Sequence, residues 1–237
     1  SRGLGDVYKR QTMYYNNGDV FTNHWSDWSG KSKITGEVQK NTFHCWWQWE
    51  GDKIIKDKVA ITGWSLGGGV TLFSGWEPLI KKINPTIKFA AHLSIYPPCI
   101  AQPKNLKFTN APMHILIGEL DDWVPAKACE ELVPKMQNAG VNIKLTVYPE
   151  SHHSFDRNTP LVTREDAYRT VDCRFTLRED GAVLMNLLNI PMTTPFRQKI
   201  GLALCAKRGT TMGGNPKTRE EAFQFSREFM SKHLLNK

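Results

Sequence analysis

No apolar run in the 237 residues approaches the roughly 20 consecutive residues that a helix needs to cross a bilayer, and no signal-peptide core stands near the start. Dense runs of like charge are missing as well. The formal net charge of +8 is spread along the chain, which points to a mildly basic solvated surface and to no nucleic-acid partner. Cysteine is scarce: Cys45, Cys99, Cys129, Cys173 and Cys205 form no CxxC pair and no His/Cys cluster at zinc spacing, so metal binding through sulfur is not expected; no motif calls for a cofactor either. The odd count fits reduced thiols, and equally two disulfides with Cys45 left over. There are no repeats and no low-complexity linker, and this length favours one domain.

What is present, 40% hydrophobic and 23% charged residues, is the composition of an ordinary globular domain. Residues 12–36, rich in Asn, Gly, Ser, Thr and Trp, read as irregular structure. Residues 38–50 read as a helix, because Val38, Phe43, Trp46 and Trp47 can share one side, with Gly51-Asp52 to close it. From Lys58 to Thr62 runs a short β-branched segment that suits a buried strand, and Gly68–Trp76 reads as the start of a helix. Further strands are expected at Phe89–Tyr96, Met113–Gly118 and Ile143–Tyr148. A helix over Lys127–Ala139 would bury Ala128, Leu132, Val133 and Met136. Such alternation is the signature of an α/β fold, a mostly parallel sheet flanked by helices. Asp180-Gly181, between Cys173–Arg178 and Ala182–Met185, predicts a small β-hairpin appendage near 173–186. A last helix from Pro216 would bury Ala222, Phe223, Phe229, Met230 and Leu234.

Gly63-Trp64-Ser65-Leu66-Gly67 matches G-x-S-x-G, in which a serine sits on a sharp strand-to-helix turn and side chains two positions either side would collide. The pattern alone is weak, but here an apolar strand precedes it and a helical segment follows. An alcohol is a poor nucleophile at neutral pH and needs an imidazole to take its proton and a carboxylate to orient the imidazole. Both types occur downstream, each just past the carboxyl end of an expected strand: Asp121 and Asp122 after Gly118, and His152 and His153 after Tyr148. Open α/β sheets form their active sites at that edge. Taken singly, a loop Asp is often a helix cap and a loop His is usually solvated; taken together, the three elements in the order serine, acid, histidine point to a hydrolase triad.

The phrases Gly63-Trp64-Ser65-Leu66-Gly67-Gly68-Gly69, Ile117-Gly118-Glu119-Leu120-Asp121-Asp122-Trp123-Val124-Pro125 and Tyr148-Pro149-Glu150-Ser151-His152-His153-Ser154-Phe155-Asp156 resemble the dienelactone hydrolase family, in its serine-bearing branch. Cys205–Gly209 and Gly213-Gly214-Asn215 resemble it too. The resemblance implies the α/β-hydrolase fold, with Ser65 as nucleophile, Asp121 as acid and His153 as base; Asp122 and His152 are the runners-up. It implies cleavage of a small-molecule carboxylic ester or lactone, and because the founding members carry cysteine where Ser65 stands, a general ester is the safer expectation. Alternatives on the same fold are a peptidase, an acetyl-xylan-type esterase and a non-catalytic binding protein. The backbone of Leu66 would supply one oxyanion donor, and Trp64 and Trp123 are candidates to line the pocket or to pack in the core. In such a fold Cys99 and Cys129 would meet near the active-site edge, and a Cys99–Cys129 or Cys173–Cys205 disulfide would point to a periplasmic or secreted protein.

Two expectations concern the amino-terminal end. Residues 1–11 resemble a translated sequencing-adaptor artefact. Arg2, Lys9 and Arg10 against Asp6 give that stretch +2 of the formal charge, leaving +6 on residues 12–237, which are expected to form one incomplete α/β-hydrolase domain. Members of the resembled family also begin with several strands and an HG-type oxyanion loop, and this chain has no His-Gly pair. A poorly active fragment of an active enzyme is therefore expected, since loss of one oxyanion donor costs on the order of 10²- to 10³-fold in rate.

Overall fold

The computed structural model describes residues 6–14, 20–31, 38–50, 53–56, 59–86, 88–186 and 188–234, which fall into two compact units, residues 1–60 and 61–237. The first holds an antiparallel sheet in the order β1-β2-β3-β4, formed by β1 (Asp6–Tyr14), β2 (Val20–Lys31), β3 (Val38–Glu50) and β4 (Lys53–Lys56). This corrects two expectations. The described part of 12–36 is strand, and 38–50 is strand β3 instead of a helix. Every residue from Val38 to Trp49 has a partner in β2, a ladder that supplies the backbone hydrogen bonds a helix would otherwise make. Val, Thr, Phe and Trp, frequent in β3, favour a pleated strand and lose rotamer freedom in a helix. Gly51-Asp52, expected to close that helix, lies outside the described residues, as do residues 1–5 and 32–36.

The second unit follows the expected alternation. Strand β5 (Ala60–Trp64) leads into α1 (Leu66–Phe73) and α2 (Glu77–Ile83); β6 (Ala91–Ile95), the short β7 (Ala101–Pro103) and β8 (Met113–Gly118) come next. Helix α3 (Ala126–Asn138) and β9 (Ile143–Tyr148) complete the central part. Its sheet has the order β5-β6-β8-β9, with β6, β8 and β9 mutually parallel. Every residue of β6 and β8 is buried, as expected of central strands covered on both faces. Helix α3 buries Ala128, Leu132, Val133 and Met136, the predicted stripe, together with Ala126 and Cys129.

Beyond β9 come β10 (Val162–Arg169), β11 (Phe175–Leu177), β12 (Val183–Leu184), α4 (Pro195–Ala203), β13 (Lys207–Met212) and α5 (Pro216–Leu234). β11 and β12 make the expected hairpin, with Gly181 at φ 88°, but β11 also pairs in parallel with β7 and so joins a three-stranded sheet. α5 buries Ala222, Phe229 and Leu234 as expected. Phe223 is exposed, with the Arg219 guanidinium over its ring, and Met230 is half-buried. Both cystine pairs are present, Cys99–Cys129 and Cys173–Cys205; Cys45 lies in β3.

Candidate active site

Ser65 sits between β5 and α1 with φ 54° and ψ −118°, a left-handed backbone that few L residues adopt. Its amide donates to the Ile95 carbonyl at 2.9 Å, so the turn rises against the end of β6. The surrounding glycines differ in what they allow. A Cβ on Gly63 would lie 2.3 Å from the Gly67 carbonyl oxygen, and one on Gly68 would lie 2.6 Å from that of Ile95. A Cβ on Gly67 would meet nothing within 4 Å. The steric demand expected two positions either side of the serine thus holds before it and not after it, and Gly68 carries the second restriction.

Strand register brings the other two groups to the serine. Gly118 at the end of β8 pairs with Tyr148 at the end of β9, so the loops that follow run side by side. The Leu120 amide donates to Ser151 O at 2.9 Å, an approach so close that a Cβ on Gly118 would lie 2.2 Å from that same oxygen. The Ser65 hydroxyl lies 3.0 Å from His153 Nε2, and His153 Nδ1 lies 2.7 Å from Asp121 Oδ2. The other carboxylate oxygen of Asp121 accepts the amides of Trp123 and Val124 at 3.1 and 2.9 Å. Asp121 is 3% and His153 2% exposed, and Ser65 is half-buried. Burial pushes the Asp121 carboxyl above the ordinary range, opposed by the hydrogen bond and charge of His153 and by the two amides. That donor set, an imidazole N–H and two backbone N–H groups, suits a carboxylate anion.

The runners-up have other surroundings. Asp122 Oδ1 accepts from Thr210 Oγ1 at 2.6 Å and from the Thr211 amide at 3.0 Å, while Arg169 lies 3.5 Å from Oδ2. It therefore ties β13 and the end of β10 to the acid loop. His152 Nδ1 is buried without a hydrogen-bond partner. As the first residue of α1, Leu66 has an amide with no acceptor inside the helix, the property an oxyanion donor needs. Trp64 is 43% exposed beside the serine, and the Trp123 ring lies 5.0 Å from the His153 ring.

Several supporting groups had no sequence motif to reveal them. Tyr96, directly after β6 at φ 38°, packs its ring 4.6 Å from His153 and donates its hydroxyl to Asp156 at 2.6 Å. Desolvation, then the Asp156 charge and hydrogen bond, hold that phenol protonated by raising its pKa. Behind the histidine loop, His153 forms a bridge with Met212, its carbonyl accepts the Gly213 amide at 2.9 Å, and Ser151 Oγ meets Thr218 Oγ1 at 2.8 Å. Thr170 donates its hydroxyl to the Trp123 carbonyl. The only hint was position, Tyr96 being the last residue of an expected strand. Among the described residues, no group of three or more His, Cys, Asp or Glu is arranged to hold a metal ion.

A parallel sheet that carries a strained serine on a strand-to-helix turn, with an acid and a histidine on successive strand-end loops, defines an α/β hydrolase. The profile of the dienelactone hydrolase family matches residues 4–174, a span that contains Ser65, Asp121 and His153 and begins inside the stretch expected to be foreign. The chain belongs to that family. Among curated proteins it is 29% identical over 138 residues to dipeptidyl peptidase family member 1 of Caenorhabditis elegans, covering 50% of this chain and 17% of that protein. Similar solved structures include esterase 2 of Thermogutta terrifontis, at 19% identity and TM-score 0.34 over 40% of this chain and 46% of that one. A Pyrococcus furiosus esterase matches at 10% identity and TM-score 0.32 over 63% and 85%. The chain thus spans less than half the length of the worm protein and of the Thermogutta esterase.

Proposed function

We propose that this protein hydrolyses small carboxylic esters or lactones through an acyl-enzyme on Ser65. The observation that carries the reading is the continuous hydrogen-bond chain from Ser65 Oγ through His153 to Asp121, at 3.0 and 2.7 Å. His153 Nε2 takes the hydroxyl proton as Oγ attacks the ester carbonyl, and Asp121 stabilises the imidazolium. The tetrahedral oxyanion is met by the Leu66 amide. Collapse breaks the ester C–O bond, and the leaving alkoxide receives the proton from Nε2. Water then attacks the acyl group with His153 again as base, which releases the acid and restores Ser65. Trp64 and Trp123 flank the serine and the histidine, positions suited to an apolar acyl or alcohol group. Maturation in an oxidising compartment accords with the two cystines.

A peptidase is the second reading, and the observation that favours it is the name of the 29% identical worm relative. Turnover of p-nitrophenyl acetate and of dipeptidyl p-nitroanilides, each compared with Ser65→Ala, tests both. Slow, serine-dependent ester turnover without anilide cleavage is expected, in keeping with a single oxyanion donor; anilide cleavage as the faster reaction would replace the esterase reading, and turnover that survives Ser65→Ala would remove both.

A further inference from the structure

Between Asp180 and Glu220 lie 39 residues without a single Asp or Glu, and among them are Arg197, Lys199, Lys207, Arg208, Lys217 and Arg219. In the fold β13 sets Lys207 and Arg208 against β10, which carries Glu165 and Asp166, so the cationic stretch that the even spread of charge hides is helix α4, with Arg197, Lys199 and no acid of its own. The helix is capped by Thr194, whose hydroxyl accepts the Arg197 amide, and its Gly201 is buried, so close to Met192 and Met185 that a Cβ would lie 2.2 Å from the Met192 sulfur. That packing fixes which side faces the protein.

The opposite side is apolar and open. Phe196, Ile200 and Leu204 follow at four-residue spacing and are 72, 40 and 58% exposed, and Leu188, on the loop before the helix, is 78% exposed. At 100° per residue these three side chains cover one narrow arc, with Arg197 at one border of it and Lys199 at the other. A stripe of this kind usually faces a core. Here it faces solvent, bordered by cations with no acid to pair with on the helix.

We propose that α4 and the loop before it are an interfacial anchor that lays this protein on an anionic lipid surface. The charge pattern selects that occupant: an apolar stripe bordered by Arg and Lys sinks about 5–10 Å into the headgroup boundary while the cations stay with the phosphates. Each Lys or Arg held near such a surface strengthens partition by about fivefold. A second copy of this chain would bring the same acid-free segment against itself, placing like charges together. The anchor is also joined to the candidate active site, because the Cys205–Cys173 bridge just past α4 leads to Thr170, which bonds the carbonyls of Asp122 and Trp123 in the acid loop. The inference does not depend on the esterase reading, since binding is measured without turnover.

The test is co-sedimentation of the whole protein with phosphatidylcholine vesicles and with vesicles containing a third phosphatidylglycerol, at low and high salt. The expected result is binding to the anionic vesicles that weakens at least tenfold at high salt and at least tenfold in a Phe196→Ser/Ile200→Ser double variant, with Tm unchanged. Arg197→Gln/Lys199→Gln, which leaves the stripe intact, is expected to weaken binding by about 25-fold. Absence of binding to anionic vesicles by the folded protein overturns the proposal. So does equal binding to both vesicle types, or a lipid-free dimer by light scattering that Phe196→Ser/Ile200→Ser dissociates.

Discussion

The Tyr96 ring lies 4.6 Å from the His153 imidazole at 60°, while its hydroxyl donates to Asp156, three residues beyond that histidine. Tyr96 therefore holds the loop of the proposed base at two points, from the carboxyl end of β6. With Trp123 also against the imidazole, the ring has little room to turn away from Ser65. Tyr96 acts through His153 and is a positioning residue. Tyr96→Phe is expected to slow fluorophosphonate labelling of Ser65 by about tenfold or less, and Tyr96→Ala by on the order of 10²-fold, the cost of roughly 1 Å of misplacement. A structural role alone would lower Tm in both variants and leave the labelling rate of the folded fraction unchanged.

Asp121 and Asp122 are neighbours with separable effects. Asp121→Asn leaves the amide bonds of Trp123 and Val124 an acceptor but disfavours the imidazole tautomer that donates from Nδ1, so ester turnover is expected to fall by about 10⁴-fold. Asp122→Asn weakens the charge-assisted bonds to Thr210, Thr211 and Arg169 and is expected to cost about 1–3 kcal/mol of stability with turnover within about threefold. Urea unfolding and steady-state rates on the two variants distinguish the roles. A larger rate loss in Asp122→Asn would reverse the assignment.

The glycines of the turn provide a test of backbone geometry. Gly67→Ala places its Cβ in open space, inside a helix, and is expected to keep or raise Tm by up to a few degrees. Gly63→Ala and Gly68→Ala each drive a Cβ to within 3 Å of a backbone carbonyl and are expected to yield little folded protein. Circular dichroism of the soluble fractions reads the difference, and equal behaviour of the three would contradict it.

Acid should weaken the second unit through two histidines. Burial lowers His92 to about 4, and burial with the nearby charge of Lys144 lowers His114 to about 4, from 6.5. Both stay neutral in the fold where the unfolded chain takes up protons, so their contribution is complete above about pH 6.5 and is lost as pH falls toward 4. A urea midpoint that drops across that window, with a shallower drop in His114→Phe, is the expected result. An unchanged slope in that variant would remove His114 from the explanation.

The parts legible in the sequence are those whose surroundings are uniform. β8 is found where Met113–Gly118 predicts it, because a strand covered on both faces must be apolar throughout, and the half-buried β9 is found at Ile143–Tyr148, where Ile, Thr, Val and Tyr favour a pleated strand. The candidate residues Ser65, Asp121 and His153 are legible because each lies past the carboxyl end of an expected strand, the edge at which open α/β sheets form their sites. β3 is a strand where a helix is expected, because Trp46 and Trp47 fit a helical stripe as well as a strand, and only pairing with β2 decides. β10 was invisible: Val162–Arg169 is largely exposed and charged, and its partner β13 begins 38 residues after it ends. Tyr96 belongs with β10, because its role depends on Asp156, which is distant in sequence.

Whether Ser65 is an activated nucleophile is read by reaction of the folded protein with a fluorophosphonate probe followed by peptide mass spectrometry. One adduct is expected, on Ser65, absent in Ser65→Ala and slowed at least 10³-fold in His153→Ala. A folded protein that forms no adduct, or forms it at an unchanged rate without His153, would contradict that role for Ser65.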